Sequence, residues 1–152
     1  MKRIGLALDT LEHSELNYYS FKYANHIINQ GLADVVCFYK QNGIPLIKPM
    51  FSCMQFAESF SYYGNIIATS FNTAHSLIKN PFVKKKFFFC WDLDWFRYPK
   101  HYNLYAQVYL NEEFHIIART DYAAKVIENS WNRKVTLVTH DFNLERLLEY
   151  AA

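Results

Sequence analysis

Glycine occurs only four times in 152 residues, at Gly5, Gly31, Gly43 and Gly64, and these are too far apart to form GxGxxG or a P-loop. Both phosphate cradles need backbone that approaches the ligand bare of side chains, so the usual dinucleotide and ATP readings fall. Cysteine is equally sparse. Cys37, Cys53 and Cys90 stand far apart with no CxxC knuckle, and they read as small buried hydrophobes of a reducing compartment. No apolar run approaches the ~18 residues of a membrane span. Met1-Lys2-Arg3, followed by a short apolar stretch to Leu8, lacks the h-region of a signal peptide, so a soluble, cytoplasmic protein is expected. An excess of one charge is missing too. Lys and Arg total 16 against 14 Asp and Glu, a formal charge of +2. That balance does not support a protein whose affinity comes from neutralising many phosphates.

Apolar and aromatic residues are abundant, at 51% and 18%. A chain of this length buries about two-thirds of its unfolded surface, so one core and one domain over residues 1–152 are expected. The segment Lys84-Lys85-Lys86-Phe87-Phe88-Phe89-Cys90-Trp91-Asp92-Leu93-Asp94-Trp95 has a charged start, an apolar middle and an acidic, aromatic end. That is the form of a central parallel strand buried on both faces, with its polar end where open α/β sheets place their ligands. Lys84 to Lys86 read as the solvated start of that strand.

Similar apolar runs alternate with amphipathic segments along the whole chain. Strands are expected at Arg3–Asp9, Asp34–Tyr39, Asn65–Ser70, Lys86–Trp91, Phe114–Ala118 and Lys134–Thr139. Helices are expected at Glu15–Gln30 with Ser14 as N-cap, from Asn72 or Thr73 to Lys79, and at Tyr102–Asn111, Thr120–Trp131 and Asn143–Tyr150. Between Ile44 and Tyr63, Pro45 and Pro49 interrupt the pattern, and a short strand followed by a helix is the preferred reading. The sum is a three-layer Rossmann-like α/β fold: a mostly parallel sheet of six or seven strands with helices on both faces.

Parallel strands would gather one polar rim from Asp9, Thr10, Glu12 and His13, from Ser70, Asn72 and Thr73, from Asp92, Asp94 and Trp95, from Arg119 to Asp121, and from His140 and Asp141. Turns and helix caps call for the same residue types, so only their joint location points to a site. Asp92 and Asp94 have DxD-like spacing; in an extended chain both carboxylates face one side and could hold a hard cation, although the commoner outcome of such a pair is a turn in which Asp accepts backbone hydrogen bonds. No metal or cofactor is assigned. Ser70 to His75 open a helix whose free N–H groups could receive a phosphate or carboxylate, or merely be capped. His13, beside Glu12 and Glu15, is the candidate general base, with His140-Asp141 the alternative, and either can be a plain loop histidine. Trp91, Trp95, Phe96 and Tyr98 form an aromatic belt in which Trp91 is expected to be buried and Trp95 partly exposed.

Arg3 to His13, Ile67-Ala68-Thr69-Ser70, Phe87 to Trp95, Ile117-Ala118-Arg119-Thr120 and Trp131-Asn132-Arg133-Lys134-Val135 together resemble small glycosyltransferase-like proteins of T4-like marine phages. The layout is similar to the N-terminal Rossmann-type domain of GT-B glycosyltransferases. The resemblance implies a nucleotide-sugar or glycan at the carboxyl rim, with His13, Ser70, Thr73, Asp92, Asp94, Trp95 and Arg119 as contacts, in the cytoplasm of an infected cell. It transfers no catalytic residue. The donor motif of the C-terminal half of such enzymes has no counterpart here, so complete transfer would call for a partner protein or a homo-oligomer to close the cleft. The competing reading is a non-enzymatic protein-interaction module that uses exposed aromatic side chains; a third, nucleic-acid binding through Lys84 to Lys86 and nearby aromatics, has the least support in the sequence.

Overall fold

Runs of four or five residues with continuous burial, such as Ile4 to Leu8 and Lys86 to Cys90, can be covered on both faces only in the middle layer of a sandwich. The computed structural model, which describes residues 2–151, has that arrangement. The strands β1 (Lys2–Thr10), β2 (Ala33–Gln41), β3 (Ser52–Gln55), β4 (Gly64–Ala68), β5 (Val83–Cys90), β6 (Phe114–Ala118) and β7 (Leu137–Val138) form one seven-stranded sheet. Its order is β3-β2-β1-β4-β5-β6-β7, and every neighbouring pair is parallel. The chain winds outward from β1 in one direction to β3 and then from β4 in the other to β7, so the strand order switches between β1 and β4.

Parallel strands need crossovers, and here helices supply most of them. On one face α1 (Glu15–Asn29) and α5 (Leu144–Ala151) bring Ala24, Ile27, Leu144, Leu147 and Leu148 onto Ile4, Leu6, Ile67, Phe87, Phe89 and Ile117. On the other, α2 (Phe71–Leu77), α3 (Tyr102–Tyr109) and α4 (Asp121–Trp131) cover Ala7, Ile66, Ala68, Phe88, Cys90, Ile116 and Ala118. Phe87 and Phe88 thus enter different cores, as alternation along a strand demands.

Local chemistry sets the helix ends. Ser14 caps α1 by accepting the Asn17 N–H at 3.1 Å, as the sequence indicates. Gly31, at φ +65°, ends it, with N–H bonds from Gly31 to Ile28 and from Leu32 to Ile27 closing the last turn. Thr120 caps α4 at 3.0 Å, and Asn132 takes the left-handed conformation at its other end. Between β2 and β4 the chain makes the expected short strand, β3, followed by a 3₁₀ helix at Phe56–Ser61. The last strand is shorter than expected, with Leu137 and Val138 alone in the ladder, paired with Ile117 and Ala118.

Two further expectations are corrected here. Lys86 is not solvated: it is 6% exposed, and its Nζ donates to Glu113 Oε2 at 3.0 Å and to the Ile78 carbonyl at 3.4 Å, closing the end of α2. Trp95 is 5% exposed and belongs to the core, whereas Trp91 is only half-buried. The chain turns into a 3₁₀ helix at Asp94–Phe96 immediately after β5, and this rolls Trp95 under the sheet. There it meets Tyr109 at 4.7 Å and Trp131 at 5.5 Å, edge to face. Trp131 in turn lies flat between Tyr102, at 4.6 Å, and Tyr109, at 5.0 Å. Cys37 and Cys90 are buried as expected, while Cys53 is half-buried in register with Cys37.

This aromatic stack locks α3 and α4 to the sheet. Trp131→Ala is expected to cost about 3–5 kcal/mol in urea unfolding, and Trp131→Phe markedly less because a ring stays in place. A loss below ~1 kcal/mol for the alanine variant would show that the stack is not a principal tie.

Candidate functional site

The carboxyl ends of β1, β4 and β5 surround a crevice at the point where strand order reverses, the usual ligand position in open α/β sheets. It encloses about 160 Å³. Asp9 reaches it from the end of β1, Thr69 and Ser70 from the end of β4, and Asp92 and Asp94 from the segment after β5. Leu16, Phe71, Phe88 and Trp91 supply its apolar wall.

Each edge of the crevice is held by bonds inside the protein. Thr69 joins β4 to β1, its N–H and hydroxyl both donating to the Ala7 carbonyl at 3.2 and 2.7 Å. Ser70 and Thr73 cap α2 reciprocally: the Ser70 hydroxyl accepts the Thr73 N–H at 3.1 Å, and Thr73 Oγ1 accepts the Ser70 N–H at 3.1 Å. Ser70 is therefore both cap and lining residue, whereas Thr73 is fully buried and serves the cap alone. Of the N–H groups expected to receive an anion, those of Ser70 and Thr73 are taken by the cap, and three carboxylates stand beside it.

The β1–α1 turn is equally constrained. Asn17 Nδ2 donates to the carbonyls of Thr10 and Glu12 at 2.8 and 2.6 Å, and Glu12 Oε1 accepts the Ile44 N–H at 3.2 Å. The loop passes so close at Gly43 that a Cβ there would stand 2.6 Å from the Glu12 backbone nitrogen. His13 is turned outward with its side chain 71% exposed, 3.9 Å from Glu12, and is not among the crevice residues. Its expected place in a shared site is corrected: the turn that anchors Glu12 to the following loop directs the next side chain into solvent. His140 is also exposed. Its neighbours Asp141 and Phe142 both adopt positive φ, 52° and 62°, in a turn that sends Phe142 fully into the core, 4.7 Å from Phe89.

Arg119 borders the site through Trp91. Its guanidinium lies 3.7 Å above the indole ring and donates to Glu15 Oε1 at 2.5 Å, so one cation ties the end of β6 to the start of α1 across the aromatic wall. Asp92 and Asp94 do not project from one extended strand as their spacing suggested, because β5 ends at Cys90 and the 3₁₀ helix begins at Asp94. Among the described residues no three of His, Cys, Asp and Glu converge closely enough to hold a metal ion.

Electrostatics single out Asp94. Burial, then the neighbouring Asp92 and more weakly Asp9, push its pKa up from the ordinary value of 3.8, while Arg97 pulls the other way. Beneath it, burial pushes the Cys90 thiol up to about 12, and the Cys90 sulfur contacts the Asp92 carbonyl at 3.3 Å and the Tyr109 hydroxyl at 3.2 Å. That thiol is a structural strut and not a nucleophile.

Ser70, Asp92 and Asp94 are thus the expected site residues that the structure brings into one crevice. Thr73 lies buried beside it and Arg119 over its wall, while Trp95 and His13 lie elsewhere. Asp9 belongs to the crevice and was legible only as one of several rim residues; its position at the end of the strand next to the order switch was the usable signal. Comparison with family models, with curated proteins and with solved structures finds no match.

A raised folded-state pKa means that the folded protein holds the Asp94 proton more tightly than the unfolded chain, so stability falls as pH rises through the window above 3.8. Asp94→Asn is therefore expected to melt above wild type at pH 7, with the gap closing as pH falls through that window. Thermal melts across the acid range read this directly, and a lower melting temperature for the variant at pH 7 would contradict the assignment.

Proposed function

We infer that the crevice binds a sugar ring, as part of a glycan or of the sugar moiety of a nucleotide-sugar. The observation that carries this reading is the pairing of three separate carboxylates, Asp9, Asp92 and Asp94, with an apolar wall that includes the half-buried Trp91. Carboxylates spread around a small hollow accept hydrogen bonds from hydroxyls pointing in several directions, and such charge-assisted bonds are the stronger kind. The apolar wall matches the C–H face of a pyranose. The enclosed volume of about 160 Å³ is well below the roughly 300 Å³ at which sites for drug-sized ligands begin, so one ring fits and a whole nucleotide-sugar does not.

The same carboxylates repel a diphosphate. A neutral acceptor sugar consequently suits the crevice better than the phosphate-bearing part of a donor. Asp94, with its raised pKa and its place in the lining, is suited to take up a proton from a sugar hydroxyl. The resemblance to the N-terminal domain of GT-B glycosyltransferases supports the same assignment.

Saturation-transfer NMR with mono- and oligosaccharides, and with UDP- and GDP-sugars with and without Mn²⁺, tests this. Ring protons of at least one sugar should saturate at about 10 mM ligand, and Asp92→Asn should weaken binding by about tenfold or more through loss of a charged acceptor. No saturation by any sugar would overturn the reading.

A second reading, a protein-interaction module, has its own observation. The segment leading to edge strand β3 leaves Ile44 78%, Leu46 71% and Met50 56% exposed, and Met54 on the strand itself is 41% exposed. Apolar side chains beside an unpaired strand edge favour association. Sedimentation velocity should then show self-association that Leu46→Lys abolishes; a monomer at all concentrations would leave a second copy of the chain without support.

A further inference from the structure

The formal charge of +2 averages over two unlike edges of the sheet. Carboxylates line the crevice at the carboxyl ends, while the amino ends of β1 and β5 carry Lys2, Arg3, Lys84, Lys85 and Lys86. Two of these cations are engaged: Lys86 neutralises Glu113, and Arg3 stands 3.9 Å from Asp34. Lys2, Lys84 and Lys85 are exposed, and among the described residues they have no carboxylate within 4.0 Å.

Lys84 stands out for a reason of register. Gly64 pairs with Val83 and Asn65 with Lys85, so Lys84 has no partner on β4 and is bulged from the ladder. It borders two neighbouring clefts. One encloses about 640 Å³ and is also lined by Lys2, Tyr63 and Asn65; the other encloses about 270 Å³ and is lined by Lys85 and His115. Glu113, in the wall of the smaller cleft, is the carboxylate that Lys86 already neutralises.

Two rings stand in solvent on this edge. Tyr63 is 73% and Phe82 43% exposed, packed edge to face at 5.6 Å with neither ring covered by the core. Exposed aromatic faces beside ammonium groups without a carboxylate partner match a ligand that both stacks and carries negative charge.

We propose that the amino edge of the sheet binds single-stranded nucleic acid, with phosphates on Lys2, Lys84 and Lys85 and bases on Tyr63 and Phe82. Adjacent exposed rings discriminate between polyanions: an acidic peptide or an anionic lipid surface would use the lysines and leave the rings idle, whereas every nucleobase has a face to stack. The width of the edge, from β1 across β4 to β5 and β6, suits a strand of a few nucleotides lying across the strand ends. This surface lies at the opposite end of the strands from the sugar crevice and does not depend on that assignment.

Fluorescence anisotropy of a labelled oligothymidylate of about 12 nucleotides, with the full chain, tests the proposal. Binding should saturate and weaken with salt, with a log–log slope of about −2 for three phosphate contacts at about −0.7 each. K84E/K85E should weaken it at least tenfold, while the charge-matched control K100E/K125E, at exposed lysines elsewhere, should bind as wild type. Tyr63→Ala with Phe82→Ala should weaken it by at least about fivefold, the loss expected of about 1 kcal/mol at the low end for one stacked base. The proposal is overturned by absence of binding at low salt, by equal losses in the two charge-reversal variants, or by unchanged affinity when both rings are removed. Retention of heparin or phosphatidylserine vesicles without the oligonucleotide would also overturn it and assign the edge to another polyanion.

Discussion

Phe87, Phe88 and Phe89 stand in one strand and must be buried on two faces. Phe87 and Phe89 pack under α1 and α5, Phe88 under α2 to α4, and a full burial of this kind is worth about 1.5–3 kcal/mol per ring. No two-layer arrangement satisfies such a strand. With both faces of β5 covered by helices, helical crossovers are the usual connection to its neighbours, and here each neighbouring pair is parallel. The common direction of the strands gathers their polar ends on a single rim.

The same polarity separates charge. Helix N-termini face the carboxyl rim, where their partial positive charge favours acids such as Glu15 and Asp121 in the first turns of α1 and α4. Helix C-termini face the amino edge, where Lys86 closes the end of α2. A nearly neutral chain thereby becomes a molecule with an acidic crevice at one end of its strands and unpaired lysines at the other. The two ends suit different ligands: clustered carboxylates suit hydroxyls, and lysines beside free rings suit phosphates and bases.

Much of the fold was legible because strand and helix periods are local properties. β1, β5 and β6, the Ser14 cap and the strand before the 3₁₀ helix at Phe56 all follow from runs of a few residues. The errors lie where a side chain's fate depends on what it meets. Trp91 and Trp95 look interchangeable in the sequence, yet the turn after β5 carries Trp95 into a stack with Tyr109 and Trp131 and leaves Trp91 under Arg119. Lys86 reads as solvated like Lys84 and Lys85 until Glu113 and the end of α2 are seen to receive it. The candidate site was legible as a list of polar strand ends. Which of them share a hollow was not, because Asp9, Ser70 and Asp92 meet through strand order, which no local pattern contains.

The amino-acid sequence alone determined that this chain builds a parallel α/β layer structure, since periodicity, caps and doubly buried runs act over a few residues. Only the tertiary structure decided that β4 lies beside β1, that Asp94 is crowded by Asp92 and Asp9 while His13 faces water, and that Lys84 is thrust out beside Tyr63. Those outcomes depend on distances between segments far apart in the chain, and burial and Coulomb energies act through those distances.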